Sequence, residues 1–487
     1  MKVGNIKFSV LILHLVVASL ILSGCVQAAP ATQTAIPSPK SVQTTSISPT
    51  ATAQSVSMPE ITLNPGDYYF SVDGQPGFVF SRNVGGYKPV HYDRLMDWSQ
   101  AGGTTFVRIQ LDSMGMGYTA TGGVDETWAL QWEQVFDKAE ADGIYIMPVF
   151  SGWFDWYTGT GYSTWKSNPL NQINGGPVKT PAELFEKDST IQAMWMEWLT
   201  TLVRRWQGRN NIIAWEIFSE VNLASGATEP TGIAFIDLAA ARIRSADTHH
   251  RPVTASLADD GKWPKFYRDA EIDFIQVHPY PTTSQLDREI VRVIRESITR
   301  FERPVLIGES GVAYADNYPE NGIIGVRHAI WAAVVSGAMN GRGLYWEDGF
   351  GIFFPKLGAS WMEKFKSAEL PAATFVKGVD FTGFQPLTST PTSAVWGAAL
   401  GDGEMVLGWF RDASCEPPDW DLKSLISGQS VTISVPGTVT TWTVDFYNTK
   451  TGWRTLSPIT VTRQGSTVTV PLPDFQDDIA FKMTPSK

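Results

Sequence analysis

Between about residue 68 and residue 377, short apolar runs alternate with longer amphipathic stretches. The runs are Gly77–Phe80, Thr104–Leu111, Ile144–Phe150, Ile212–Phe218, Pro252–Leu257, Ile272–Val277, Pro304–Gly308 and Gly343–Trp346. Most are nearly continuous in their hydrophobicity, as expected of strands covered on both faces of a parallel sheet. The stretches between them carry apolar positions at helical spacing, notably Trp128–Asp142, Thr190–Trp206, Ile233–Asp247, Leu286–Phe301, Gly322–Met339 and Trp361–Val376. Eight such repeats in roughly 300 residues predict an α/β protein with a (β/α)8 barrel rather than an open doubly wound sheet.

Beyond Val379 the period changes to two. Ala394–Leu400, Glu404–Phe410, Ser430–Val435, Thr440–Tyr447, Ile459–Thr462 and Ser466–Val470 are separated by turn signals such as Asp402-Gly403, Pro436-Gly437 and Gln464-Gly465. Asn448-Thr449-Lys450-Thr451-Gly452 reads as a hairpin turn. This pattern predicts a C-terminal all-β sandwich at 379–487 behind a barrel at 58–378. No flexible linker divides the two, so the sandwich is expected to pack on the barrel.

The first 57 residues belong to neither pattern. Lys2 and Lys7 precede an apolar run from Phe8 to Leu22, which ends in Leu22-Ser23-Gly24-Cys25. A charged start, a short apolar core and small residues at the end predict an export signal over 1–24. The last four residues resemble the lipobox of bacterial lipoproteins, which implies cleavage before Cys25 and a lipid on its thiol. Residues 25–57, rich in Ser, Thr, Pro and Ala, cannot bury a core and are expected to form a disordered tether. The protein is thus expected to be exported and held on a bacterial membrane by that anchor alone.

Composition narrows the chemistry. The net charge of -11 and the lack of a Lys/Arg run disfavour a nucleic-acid partner. With two cysteines, Cys25 and Cys415, there is no disulfide framework, and Cys415 reads as an inert thiol. No His-Glu-x-x-His or Cys-x-x-Cys spacing points to zinc, so neither a metal nor a cofactor is expected, although a structural calcium stays open. Gly115-Met116-Gly117-Tyr118-Thr119-Ala120 imitates a dinucleotide fingerprint, but a Gly pair follows where a helix is required. The 19 Trp exceed what packing ordinarily uses and suit flat sugar faces.

Two strands end on carboxylates. Ile212 to Phe218 leads through Ser219 to Glu220, and Pro304-Val305-Leu306-Ile307-Gly308 leads to Glu309. Paired carboxylates at the C-terminal mouth of a barrel are what acid–base and nucleophilic work on an acetal requires. Glu216 should lie deeper in the barrel, paired with Arg108.

The segments Trp215-Glu216-Ile217-Phe218-Ser219-Glu220, Val277-His278-Pro279-Tyr280 and Ile307-Gly308-Glu309 resemble the glycoside hydrolases of clan A, most closely family 5, the cellulase and mannanase group. The resemblance covers about Tyr68 to Lys377. It implies Glu220 as acid/base and Glu309 as nucleophile, with Arg108 and Tyr280 holding the nucleophile, His278 lining the pocket and Trp346 forming its floor. One departure stands out: the family has Asn before the acid/base, and here it is Ser219, with Asn222 nearby as a possible substitute. Trp153, Trp156 and Trp165, after the third strand, are expected to be substrate platforms. The exposed pair His249-His250 has no assigned role.

These expectations amount to a monomeric, surface-tethered enzyme that cleaves β-linked oligo- or polysaccharides, glucan- or mannan-like, with retention. Two alternatives remain: a non-catalytic glycan-binding lipoprotein, suggested by Ser219, and a transglycosylase. The sugar, and endo against exo action, are set by loops that the scaffold leaves free.

Overall fold

A computed structural model describes residues 58–486, apart from 85–87, 161–162, 282–284, 312–321, 343–357, 418–419 and 421–424. The signal, the tether, Cys25 and Trp346 therefore lie outside the described residues. No described helix is long and apolar enough to cross a membrane.

Eight parallel strands form the barrel: β1 (Val79–Val84), β2 (Phe106–Gln110), β3 (Tyr145–Gly152), β4 (Trp215–Ser219), β5 (Val253–Thr254), β6 (Ile275–Val277), β7 (Val305–Ile307) and β8 (Asn340–Arg342). They run β8-β1-β2-β3-β4-β5 in one sheet, with β6 paired to β7. A bridge from Ser256 to Gln276 joins β5 to β6, and the Met339 amide donates to the Val305 carbonyl at 2.9 Å to join β8 to β7. At that seam the side chain of Asn340 supplies ladder bonds that the short strands lack: its carbonyl accepts from the Ile307 amide and its NH2 donates to the Ile307 carbonyl. The helices are α1 (Pro89–Gly102), α2 (Glu126–Ala141), α3 (Thr190–Trp206), α4 (Glu229–Ala246), the single turn α5 (Phe266–Asp269), α6 (Leu286–Phe301), α7 (Gly322–Val334) and α8 (Gly358–Val376).

One strand sits elsewhere than the hydrophobic pattern predicts. The first begins at Val79 and runs through Ser81, Arg82 and Asn83, all buried. A polar barrel interior hides those residues from a reading based on hydrophobicity. The eighth described strand is Asn340–Arg342, and the expected run Gly343–Trp346 lies outside the described residues. The bottom of the barrel is sealed by a layer containing Phe70, Val79, Phe106, Met147, Ile213, Phe274, Leu306 and Met339. A small antiparallel sheet (Ile61–Thr62, Ser71–Val72, Gln75–Pro76) lies against that layer through Ile61 and Val72.

The C-terminal part is one nine-stranded antiparallel sheet. Its strands are β9 (Gln385–Leu387), β10 (Ser389–Pro391), β11 (Val395–Gly401), β12 (Val406–Asp412), β13 (Ser430–Ser434), β14 (Thr441–Tyr447), β15 (Ile459–Gln464), β16 (Thr467–Pro471) and β17 (Asp478–Pro485). The order is β9-β11-β12-β17-β14-β15-β16-β13-β10, so the two edge strands are consecutive in sequence and the sheet nearly closes around its own core. β15 makes the corner, pairing with β14 up to Thr462 and with β16 from Arg463. The Asn448–Gly452 turn forms as expected, with the Gly452 amide donating to the Asn448 carbonyl.

Strand β17 was not anticipated from the alternation, yet it is central. Asp478 to Phe481 are all buried, because one face of this strand lies in the sheet core and the other faces the barrel. Lys482 continues it by laying its ammonium over the rings of Phe375 and Tyr447. Ala398, Leu400, Leu407, Trp409 and Ala480 join the core of the barrel itself. Buried ion pairs cross the same junction, Arg411 with Asp287 at 2.5 Å and Arg327 with Asp477, and His328 shares a hydrogen bond with Asp477. The all-β part is packed on α6, α7 and α8 rather than tethered to them.

Candidate active site

Arg108, in the middle of β2, points into the barrel and is 1% exposed. Each of its five N–H bonds has an acceptor. Nε and Nη2 hold both oxygens of Glu216 at 2.6 and 2.7 Å. Nη1 donates to Asn83 Oδ1 at 3.1 Å and Glu309 Oε1 at 2.7 Å, and Nη2 donates also to Ser219 Oγ at 2.9 Å. A planar fork of five donors matches such a set, and no other side chain would.

Glu309 follows Gly308 just beyond β7. Besides Arg108, its Oε1 accepts from Gln110 Nε2 at 3.3 Å, and its Oε2 accepts from the Tyr280 hydroxyl at 2.9 Å. Burial raises the affinity of this carboxyl for a proton, but the His278 and Arg108 charges and the Tyr280 and Arg108 hydrogen bonds outweigh it. The net result holds Glu309 below the usual carboxylate range, and hence ionised. Gly308 is required here: a Cβ would stand 2.3 Å from Gln276 Oε1 and 2.8 Å from His278 Nε2. Any larger residue would push the histidine out of place.

Glu220 caps β4 with a left-handed backbone, φ 57°, unusual for a residue with a side chain. The conformation is held by its own amide, which donates to Ser256 Oγ at 3.0 Å, while Ser256 donates to Glu216 Oε1 at 3.1 Å. Backbone strain of this kind turns a side chain away from the strand line and is frequent at functional sites. Glu220 Oε1 lies 2.9 Å from His278 Nδ1, and Glu309 Oε2 lies 3.8 Å from the same nitrogen. One oxygen of each carboxylate and this ring nitrogen all lie within 4.8 Å of one another. That is shorter than the roughly 6.5–9.5 Å that leaves room for a water between two carboxyl groups, and near the roughly 5–5.5 Å of a nucleophile–acid pair. A cation fits poorly between them, since Arg108 already supplies positive charge to Glu309. The other His, Cys and carboxylate cluster among the described residues, His328 with Cys415 and Asp477, is likewise served by Arg327. Burial pushes the Cys415 thiol up to about 12, in keeping with an inert side chain.

Thus Glu220, Glu309, Arg108, His278, Tyr280, Ser219 and Glu216 are brought together as the sequence predicts. Three expectations are corrected. Trp156 is fully buried, its indole donating to Ser151 Oγ and its ring 5.8 Å from that of Trp165, itself 7% exposed. Both are core of the loop after β3, where a one-turn helix (Trp153–Trp156) folds them inward. Of the three, Trp153 alone stays half-buried, edge-on to Tyr157. Asn222 does not replace the missing asparagine: its amide is tied to the Ala258 N–H and the Asp259 carbonyl in the loop after β5.

Gln110, Asn83 and Ser256 escape sequence reasoning because each is a polar residue in or beside a strand with no motif of its own. The one available signal was their position at barrel strand ends. A second feature missed is the pair Asp112 and Asp155, beyond β2 and β3. Asp155 is buried and accepts from Thr164 Oγ1 at 2.7 Å, and its charge acts on the neighbouring buried carboxyl of Asp112. Burial raises both carboxyls, Asp155 to about 7, and Asp112 is raised further by the Asp155 charge. A raised carboxyl favours folding while protonated, so this contribution is present at low pH and lost as pH rises toward 7 and beyond. Asp155→Asn keeps the Thr164 bond and removes the buried charge. It is therefore expected to raise stability above pH 7 by about 1–2 kcal/mol, the scale of a single pKa unit, and to lose that advantage near pH 4. Urea unfolding of both proteins at pH 4, 6 and 8 checks the sign.

No protein-family model matches the chain, and no curated protein matches it. Solved structures do. A glycoside hydrolase family 5 protein from Bacteroides vulgatus superposes with a TM-score of 0.58 at 14% identity, over 87% of this chain and 93% of that one. A second structure, described as a glycoside hydrolase, gives a TM-score of 0.56 at 12% identity, over 90% and 99% of the two chains. This is a glycoside-hydrolase fold. Both matches extend past the barrel, so the arrangement of barrel plus all-β part belongs to the fold too. At such identities the glycoside-hydrolase fold is shared and the activity has to be argued from the site.

Proposed function

We propose that the protein is a retaining glycoside hydrolase acting on β-linked glycans of the glucan or mannan type. The observation that carries this reading is the convergence of Glu220 and Glu309 within 4.8 Å, one of them clamped by a buried arginine and a tyrosine. Glu309 Oε2 attacks the anomeric carbon while Glu220 protonates the departing oxygen, forming a glycosyl ester. Glu220 then takes a proton from the water that opens the ester, and Glu309 leaves. Arg108 and Tyr280 favour the charged Glu309 of the resting enzyme, and Trp153 offers an apolar face to a neighbouring sugar.

On this reading the export signal and the lipid at Cys25 would hold the enzyme on the bacterial surface, with residues 25–57 as a leash long enough to sample polymer. A monomer acting on polysaccharide needs no partner chain and no cofactor.

A 2-deoxy-2-fluoro β-glycosyl fluoride tests the proposal, because it forms the ester quickly and releases it slowly. Intact mass should rise by one fluoroglycosyl group, and peptide mapping should place it on Glu309. Glucosyl, mannosyl, cellobiosyl and mannobiosyl forms together cover the expected sugars. Unchanged mass with all four, alongside measurable binding of the parent oligosaccharides, would favour the non-catalytic glycan-binding reading. Ser219 gives that alternative its one support, since its Oγ already accepts from Arg108 and is shorter than the family asparagine.

A further inference from the structure

The general acid of such a reaction must hold a proton, and the hydrogen-bond partner of Glu220 Oε1 is a ring nitrogen of a histidine. His278 Nδ1 is 2.9 Å from Glu220 Oε1 and 3.8 Å from Glu309 Oε2, so the ring stands between the two carboxylates. It is 8% exposed and cannot draw on bulk water. Its other nitrogen, Nε2, has no hydrogen-bond partner among the described residues, and neither has Gln276 Oε1; both face the space left by the missing side chain of Gly308. Among the described residues the ring is therefore bonded through Nδ1 alone, to Glu220 Oε1.

Resting on the glycosidase reading, we infer that His278 is a positioning residue that stores the proton delivered by Glu220. The resting pair is an imidazolium beside a carboxylate, with the proton on Nδ1 in the 2.9 Å bond to Oε1. The charged groups facing the ring are Glu220 beyond β4, Glu309 beyond β7 and Arg108 on β2; Tyr280 reaches Glu309 from the same segment as His278. Burial disfavours the charged ring, but the Glu309 and Glu220 carboxylates more than offset it and raise its proton affinity, against Arg108.

The storage is coupled to the chemistry. As the bond from Glu309 to the anomeric carbon forms, the Glu309 charge is consumed in the ester. The strongest attraction holding the proton on the ring goes with it. The proton passes from Nδ1 to Glu220 Oε1 and on to the leaving oxygen as the glycosidic bond breaks, leaving neutral His278 and ionised Glu220. When water opens the ester, its proton returns through Glu220 to His278 as Glu309 regains its charge. No proton has to enter from solvent within a turnover.

Two measurements test this. With 13C-labelled histidine, the ring of His278 is followed by NMR against pH; the chain has only six His to assign. In Glu220→Gln the ring should lose its proton at a pH at least one unit lower than in the wild type, and an unchanged titration overturns the proposal. The second compares 2,4-dinitrophenyl and methyl β-glycosides of cellobiose and mannobiose, the first needing no protonation of its leaving group. His278→Gln should lose at least tenfold in kcat/KM on the methyl glycoside and less than threefold on the dinitrophenyl one. The basic limb of its pH profile should also move to lower pH, because the raised ring that stores the proton is gone. Equal losses on both substrates, or an unmoved limb, overturn the proposal while leaving the glycosidase reading intact. If the wild type cleaves neither substrate, the glycosidase reading has failed and the NMR titration still decides whether His278 holds the proton.

Discussion

Glu309→Ala is expected to abolish turnover, with a loss on the order of 10⁴–10⁶-fold, the range seen when a covalent nucleophile is removed from a preorganised site. The carboxylate is held at 2.7 Å by Arg108 and 2.9 Å by Tyr280, so nothing else in the cluster can take its place at the same angle. Glu220, less than 5 Å away, stays on the leaving-group side with its backbone fixed by Ser256. The variant should therefore still protonate a departing oxygen, and a small anion admitted to the vacated space should attack where the carboxylate did. With 50 mM azide and a dinitrophenyl β-glycoside, turnover should recover at least tenfold and yield the α-glycosyl azide. Glu220→Ala gives the reciprocal result: azide accepts the enzyme-bound sugar from the opposite face, and the product is the β-glycosyl azide. Should both variants yield the same anomer, or Glu309→Ala hydrolyse the glycoside at the wild-type rate, the assignment of nucleophile and acid falls.

The parts of the site that were legible in the sequence are those whose position follows from strand order. Glu220 and Glu309 each close an apolar strand, and in a parallel barrel the ends of such strands meet on one face. Arg108 and Glu216 were legible as a pair because both interrupt apolar strands and a buried charge needs a partner. The polar interior was not. Ser81 and Asn83 make a buried strand segment look like a solvent-exposed turn, which is why β1 was placed too early. Trp156 illustrates the converse error. An aromatic residue in a long glycine-rich loop resembles a platform, but Asn168 and the Asp155–Thr164 bond fold that loop over the ring. Whether a loop covers or presents an aromatic side chain is decided by contacts distant in sequence. Strand β17 failed for a related reason: packing on both faces erases the alternation by which an antiparallel strand is recognised.

Arg108→Met should be the most destabilising single change in the barrel, about 3–5 kcal/mol, the usual loss when one partner of a buried ion pair is removed. The side chain keeps its approximate volume, so the effect isolates the charge and its hydrogen bonds from packing. Glu216 is completely buried and would retain only Ser256 as a donor to Oε1. Asn83 Oδ1 and Ser219 Oγ also lose a donor. Arg108→Lys should recover little of this, because three ammonium protons on a single atom cannot span five acceptors on four residues. If the uncompensated charge of Glu216 is the cause, Arg108→Met combined with Glu216→Gln should recover about half the loss, and urea unfolding of the four proteins of this cycle measures the coupling directly. Folded variants carry a second signature. The Glu309 carboxyl is held low in part by the Arg108 charge, so activity at neutral pH is lost as pH falls through its folded value. Without the guanidinium that value rises, and the acid limb of the pH profile should move to higher pH. Unfolding free energies within 1 kcal/mol of the wild type, with an unmoved acid limb, would mean that the guanidinium neither supports the barrel interior nor sets the charge of Glu309.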